Sequence, residues 1–201
     1  MRLAQQLYEG VEVKGKGSVG LITYLRTDST RVSDEAKASA REYILEQYGE
    51  KFVDEVEEKK ETKKRIQDAH EAIRPSYVEL SPVILKESLS RDLFRLYQLI
   101  WKRFVASQMK AAKYETTSIK IDGGGYRFTC AASKVLFDGF MSVYTSEDDK
   151  IDTNTLSNSI STESKLTMKD LDPKQHFTQP PAHFTEASLV KTLEELGIGR
   201  P

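Results

Sequence analysis

Cysteine and histidine are scarce in this 201-residue sequence, which contains one cysteine, Cys130, and three histidines. A lone cysteine cannot form an internal disulfide. The small number of cysteines and histidines also argues against a thiol enzyme and against a multi-histidine metal site. Long apolar runs are also missing: none approaches the roughly eighteen residues needed to cross a bilayer, and the first residues lack a signal-peptide core. We therefore expect a cytoplasmic protein with no membrane role and no metal ligands of its own.

Charge of one sign is not in excess either. The sequence has 30 Lys and Arg against 31 Asp and Glu, a formal net charge of -1, whereas proteins that bind nucleic acid usually carry a basic excess. DNA binding would therefore have to rest on locally arranged basic residues. What is present, 38% hydrophobic and 30% charged residues, is typical of a soluble globular chain of one or two domains.

Helical patterns dominate the first half of the sequence. Ser33 is a candidate N-cap for a helix over residues 34–48, which has acidic residues in its first turn and Gly49 just beyond its end. Apolar residues at three- and four-residue intervals predict a long amphipathic helix between residues 90 and 112. MRLAQQLYEG predicts a helix that begins before the first residue, VEVKGKGS predicts a loop, and residues 50–65 predict a solvated connection of mixed charge.

The pattern changes to β in the second half. YETTSIKID and YRFTCAA alternate on either side of GGG and predict a hairpin with a glycine turn. VLFDGFMSVY and SKLTMKDL predict two further strands. Thr185 is a candidate cap for a closing helix, ASLVKTLEEL, which Gly197 would terminate. The sequence therefore predicts the α+β class.

GLITYLRTDST offers the clearest chemistry. In an extended segment Tyr24 and Arg26 project from the same face, so a phenol and a guanidinium could converge on one phosphate. Local sequence alone favours a plainer interpretation, in which Tyr24 packs among apolar neighbours and bonds its hydroxyl locally. His70 in QDAHEAIRP is similarly ambiguous, because no second histidine or cysteine stands at metal-ligand spacing.

Four motifs occur in a fixed order: GLITYLRTDST, QDAHEAIRP, LYQLIWKRFVASQM and HFTQPPAHFTEASLVKTLEELGIGRP. Together they cover essentially the whole chain and resemble bacterial type IA DNA topoisomerases. The resemblance implies that Tyr24 is the nucleophile, that Arg26 binds the phosphate and that His70 helps hold the DNA backbone. It also implies further residues around the active site, namely Gln5, Glu9, Thr23 and Asp28. One departure is VEVKGKGSV, which separates Glu9 from GLITY by more residues than in some members of the family.

The resemblance also implies an architecture. A helical domain bearing the tyrosine would cover residues 1–112 and be partial at its N-terminus, part of a β arch would cover residues 113–176, and a following helical segment would start over residues 177–201. The chain would then be an internal piece of an enzyme whose Mg²⁺-binding carboxylates and acid/base lysine lie in an N-terminal domain that it lacks. It would bind no cofactor itself.

The implied reaction is an ATP-independent transesterification that relaxes negative supercoils by cleaving and rejoining one DNA strand through a 5′-phosphotyrosyl link. The implied partners are DNA, chiefly single-stranded, and the N-terminal metal-binding domain of the same enzyme. The intact enzyme is expected to be monomeric and the isolated chain inactive. Three alternatives stay open: a noncatalytic DNA-binding gate module in which Tyr24 only packs, the topoisomerase module of a reverse gyrase, and a helical scaffold with no DNA role.

Overall fold

The structure is a computed structural model that describes residues 1–27, 29–53, 70–145, 160–162 and 164–198. The chain divides into two compact units, Met1–Asn154 and Thr155–Pro201. Helices and small antiparallel sheets are both present, so the predicted α+β class is confirmed.

The first unit contains four α-helices within its described residues: α1 (Arg2–Glu9), α2 (Asp34–Tyr48), α3 (Pro82–Leu85) and α4 (Arg91–Ser107). Its strands form two antiparallel hairpins, β1 (Val11–Val13) with β2 (Gly17–Val19) and β3 (Lys113–Gly123) with β4 (Tyr126–Phe137). Short 3-10 helices cover Glu50–Phe52 and Gly139–Ser142. The second unit has one helix in its described part, α5 (Glu186–Glu195).

Helix α2 begins and ends at the predicted residues. The Ser33 side chain accepts a hydrogen bond from the backbone N–H of Ala36, which satisfies one of the unpaired donors at the start of the helix. Gly49 follows the last turn with a φ of 92°, a backbone conformation that side chains disfavour. Ala40 and Ile44 face the core and are fully buried. The helical prediction for this segment is confirmed.

Helix α4 forms the centre of the core. The buried Tyr97 hydroxyl donates to the carbonyl of Leu80 at 2.6 Å, and Trp101 Nε1 donates to the carbonyl of Val78 at 2.8 Å. These two bonds fix the connection before the helix against its side and satisfy both polar groups. Burial also raises the pKa of Tyr97 well above its usual range.

The predicted length of α4 is wrong at its C-terminal end. The helix ends at Ser107 rather than near residue 112. Met109 instead makes an isolated antiparallel bridge with Val53, and the Lys110 N–H donates to the carbonyl of Phe52 at 2.9 Å. Met109 therefore fits the apolar spacing of the helix in the sequence, but in the structure it lies in an extended segment.

The VEVKGKGS segment is a hairpin, so the predicted loop is wrong. Val11 pairs with Val19 and Val13 with Gly17, and Gly15 in the turn between them has a φ of 80°. Val13 is buried in the core, which stabilises strands too short to hold by their own ladder. The glycine and lysine residues of the turn favoured a loop, so the pairing of Val11 and Val13 with the second strand was not predicted.

The long β3–β4 hairpin confirms the strand prediction around GGG, with Gly124 and Gly125 at positive φ in the turn. The two further strands are not present. VLFDGFMSVY supplies the end of β4 and then a 3-10 helix. The chain turns there at Gly139, which has a φ of 51° and lies so close to the carbonyl of Lys110 that a Cβ would collide with it. SKLTMKDL, residues 164–171, lies outside any strand and is exposed. The alternation of polar and apolar residues is typical of the two faces of a strand, but a strand also needs a second strand with which to pair.

Helix α5 begins as predicted. The Thr185 side chain accepts from the backbone N–H of Ser188, and the Ser188 hydroxyl accepts from the Thr185 backbone, which forms a capping box. Gly197 follows the helix at a φ of 69°. The expected connection over residues 50–65 lies mostly outside the described residues.

Candidate active site

Tyr24 stands out because it is exposed at the end of a buried segment. Leu21 and Ile22 are 1% and 2% exposed, whereas the Tyr24 side chain is 56% exposed. The Leu21 N–H donates to the carbonyl of Leu7 in α1 at 2.7 Å, and Ile22 bridges to Pro75. The buried residues therefore anchor the segment on two sides and leave the phenol accessible.

Thr23 joins the tyrosine segment to QDAHEAIRP. Its hydroxyl donates to the carbonyl of Ala72 at 2.8 Å and accepts from the backbone N–H of Arg74 at 2.9 Å. The backbone N–H of Thr23 also donates to the carbonyl of Arg74 at 2.9 Å. Two motifs about fifty residues apart in sequence therefore lie side by side.

The ring of Tyr24 contacts two other rings. The Tyr8 ring lies edge-to-face with it, with centroids 5.4 Å apart and planes inclined by 67°. The His70 ring lies at a centroid distance of 6.1 Å and an angle of 29°. The structure thus brings Tyr24 and His70 together, which spacing in the sequence alone could not predict.

Arg26 is half-buried, and its backbone N–H donates to the carbonyl of Tyr24 at 2.9 Å. A hydrogen bond between residues i+2 and i makes a tight turn, so the segment does not stay extended here. Alternation along a strand therefore does not relate the two side chains. Convergence of Arg26 and Tyr24 on one phosphate stays a prediction.

Gln5 and Glu9 lie on successive turns of α1 and are both exposed. Gln5 Nε2 donates to Glu9 Oε1 at 2.6 Å. This bond joins the two side chains to each other and does not involve Tyr24. The inserted β1–β2 hairpin returns the chain to the end of α1, because Val11 and Val19 pair at its base. The longer spacing in VEVKGKGSV therefore leaves α1 beside the tyrosine segment.

An ion pair braces the second motif and was not predicted as part of the site. Arg74 Nη2 lies 2.7 Å from Glu71 Oε2, with side chains 14% and 21% exposed, and Arg74 Nη1 donates to the carbonyl of Pro75. Burial by itself would raise the pKa of Glu71, but the hydrogen bonds and charge of Arg74, with help from Ser33 and Arg31, lower it below its usual value. The feature of the sequence that could have predicted this ion pair is the three-residue spacing of Glu71 and Arg74.

The predicted role of Asp28 and the expectation that this chain binds no metal of its own both stay predictions. Asp28 lies outside the described residues. Among the residues that the structure does describe, no group of three or more His, Cys, Asp or Glu side chains could hold a metal ion.

A cleft of about 970 Å³ lies in the same unit and is lined partly by the tyrosine segment, at Ile22 and Leu25. Helix α4 contributes Leu96 and Ile100 to its wall. Polar side chains, Thr30 and Arg103 among them, also line the cleft, but neither Tyr24 nor His70 does. The candidate active site is therefore the exposed surface at Tyr24 rather than this cleft.

Comparison with known proteins gives the family. A DNA topoisomerase family model matches residues 1–201. The chain belongs to this DNA topoisomerase family. The chain is also similar to the full-length topoisomerase I from Thermotoga maritima, with 39% sequence identity and a TM-score of 0.72. That match covers 100% of this chain and 31% of the T. maritima chain, so the chain spans about a third of this relative's length.

These findings confirm the resemblance to bacterial topoisomerases and the α+β fold that it implied. In the described part of the chain, every helix is too short or too polar to cross a membrane. The roles of Tyr24, Arg26, His70 and their neighbours, which the resemblance implied, stay predictions.

Proposed function

We propose that this chain carries the nucleophile of a type IA topoisomerase, with Tyr24 as the attacking residue. The observation that supports this best is the 56% exposure of Tyr24 at the end of a segment whose preceding residues are buried. A tyrosine whose role was packing would instead bury its ring and bond its hydroxyl locally. The noncatalytic gate module therefore has less support than the enzyme.

The proposed reaction exchanges one phosphoester for another. The phenolic oxygen of Tyr24 forms a bond to phosphorus, and the bond from phosphorus to the 3′ oxygen breaks. The products are a 5′-phosphotyrosyl link and a free 3′-hydroxyl, and rejoining is the same reaction reversed. Because the number of phosphoester bonds is unchanged, no ATP is needed.

Proton transfer must accompany both steps. An ordinary phenol is almost entirely protonated at pH 7, so its attack needs a base or strongly cationic surroundings. The guanidinium of Arg26 keeps its charge and cannot act as that base, but its donors suit the phosphate in the transition state. The acid/base group and the Mg²⁺-binding carboxylates would come from a separate domain.

DNA is the proposed partner, chiefly as a single strand. Arg26 and His70 lie in the two motifs that meet at Tyr24, so both could contact the backbone phosphates on either side of the cleavage point. Contacts of this kind position the strand without reading its sequence. The nearly balanced net charge means that this local arrangement, rather than bulk attraction, must supply the affinity.

The test is reconstitution of the split active site. The chain is mixed with a separately produced metal-binding domain, Mg²⁺ and end-labelled single-stranded DNA, and covalent adducts are trapped in denaturant. We expect an adduct with the wild type and none with Tyr24→Phe, which keeps the ring but removes the attacking oxygen. The matched control is Tyr77→Phe, because Tyr77 is 51% exposed in the same unit and has no proposed role. An adduct that survives Tyr24→Phe would overturn the proposal.

The isolated chain provides a second test. It should not relax negatively supercoiled plasmid at any concentration that leaves it folded, because the acid/base group and the Mg²⁺-binding carboxylates are proposed to lie in a separate domain. Relaxation by the purified chain that is abolished by Tyr24→Phe would show that the site is complete without another domain.

A further inference from the structure

Tyr8 was not among the predicted site residues, yet it makes the nearest ring contact of Tyr24 that the structure gives. It lies in the last turn of α1 and is 37% exposed. Its ring centroid is 5.4 Å from that of Tyr24, against 6.1 Å for His70. The 67° inclination is the edge-to-face arrangement that aromatic pairs prefer.

The backbone around Tyr8 is fixed to the tyrosine segment independently of the rings. The preceding residue, Leu7, is fully buried and accepts a hydrogen bond from the N–H of Leu21. Gly20 approaches Tyr8 so closely that an added Cβ would lie 2.7 Å from the Tyr8 carbonyl oxygen. The Tyr8 ring is therefore presented to Tyr24 by a constrained backbone rather than by a mobile surface helix.

An exposed nucleophile needs such a neighbour. A tyrosine side chain can occupy several staggered χ1 positions, and a ring that is half in solvent has few contacts of its own to select one. Attack requires the phenolic oxygen to be held in line with the scissile bond, and small misplacements reduce the rate strongly. A neighbouring ring on a constrained backbone restricts the positions available to the Tyr24 ring.

We propose that Tyr8 is a positioning residue for the reaction, which it serves by holding the Tyr24 ring in the orientation for attack. The inference rests on the proposed role of Tyr24 as nucleophile. The contact is made by the ring, so the Tyr8 hydroxyl is not required. Loss of the ring should affect cleavage and rejoining alike, since both pass through the same geometry.

The kinetic test compares Tyr8→Phe and Tyr8→Ala in the reconstituted enzyme at saturating single-stranded DNA. Tyr8→Ala should slow adduct formation about two- to tenfold, the range that corresponds to one aromatic pair, with DNA affinity nearly unchanged. Tyr8→Phe should restore the wild-type rate. The matched control is Tyr126→Ala at the turn of the β3–β4 hairpin, where the side chain is 75% exposed, and its rate should equal that of the wild type. Rates are expressed per adduct-competent molecule, so partial unfolding does not count as slowing.

A spectroscopic test on the chain alone does not depend on the chemistry. With tyrosine rings isotopically labelled, the Tyr24 signal is assigned as the one lost in Tyr24→Phe. Tyr8→Ala should shift that signal by removing the neighbouring ring current, whereas Tyr126→Ala should not. A Tyr24 signal that is unmoved, a Tyr8→Ala rate equal to wild type, or a Tyr8→Phe rate as low as that of Tyr8→Ala would each overturn the inference. An adduct formed with Tyr24→Phe would instead overturn the proposed function, whatever Tyr8 does.

Discussion

Replacement of Thr23 by valine tests whether one hydroxyl ties the two motifs of the site together. Valine keeps the branched shape but removes both the donor to Ala72 and the acceptor for Arg74. A typical hydrogen bond contributes about 1 kcal/mol net, and a buried backbone group left unpaired costs about 1–3 kcal/mol. Because the site is only partly buried and two groups lose their partner, we expect Thr23→Val to lower the free energy of unfolding by about 2–3 kcal/mol.

Urea unfolding followed by tryptophan fluorescence measures this loss. Trp101 is the single tryptophan of the chain and lies in the core of the first unit, so its emission reports on the part of the structure that contains Thr23. The control is Thr23→Ser, which keeps the hydroxyl and should cost less than about 1 kcal/mol. Equal stability of Thr23→Val and the wild type, or a larger loss in Thr23→Ser than in Thr23→Val, would refute the reasoning.

Three further perturbations test the rest of the first unit. Glu71→Gln should lower the free energy of unfolding by about 2 kcal/mol at pH 7, because it breaks the partly buried pair with Arg74. The folded-state pKa of Glu71 lies below its usual 4.5, so its contribution is present above that pH and is lost as pH falls through the folded value. Urea unfolding across pH should therefore show a stability loss below pH 4.5 in the wild type that is smaller in Glu71→Gln. Gly139→Ala should lower the thermal midpoint more than Gly124→Ala: both residues have positive φ, but an added Cβ collides with backbone only at residue 139. Tyr97→Phe should cost about 1–2 kcal/mol in urea unfolding, since it leaves a core carbonyl without its donor.

The sequence predicts best those elements whose signals are local. Helix α2 is an example, since Ser33 supplies the first hydrogen bond and Gly49 supplies the positive φ at the end. The β3–β4 hairpin is another, because two alternating strands meet at Gly124 and Gly125 and can pair with each other directly. In both cases the residues that determine the structure are adjacent along the chain.

The wrong predictions concern elements that depend on distant partners. Helix α4 stops at Ser107 because Met109 pairs with Val53, and Val53 is more than fifty residues away in sequence. SKLTMKDL has the alternation of a strand but pairs with no other described segment. VEVKGKGS forms a hairpin partly because Val13 reaches the core, which its charged neighbours do not indicate.

The residues of the candidate site show the same difference between local signals and contacts with distant parts of the chain. Tyr24 and His70 were associated through resemblance to a family, whereas their ring contact depends on the Thr23 hydrogen bonds to the second motif. The sequence did not mark Tyr8 as a site residue, because a tyrosine in an amphipathic helix is ordinarily a packing residue. Its contact with Tyr24 exists because the β1–β2 hairpin closes on itself and returns the chain to α1.

The most direct measurement of the central claim identifies the residue that becomes linked to DNA. After adduct formation in the reconstituted enzyme, nuclease and trypsin digestion should leave a nucleotide on the peptide of residues 17–26, in which Tyr24 is the one tyrosine. Mass spectrometry is expected to find the phosphate ester there and to find none in Tyr24→Phe. A nucleotide attached to any other peptide would contradict the assignment of Tyr24 as the nucleophile.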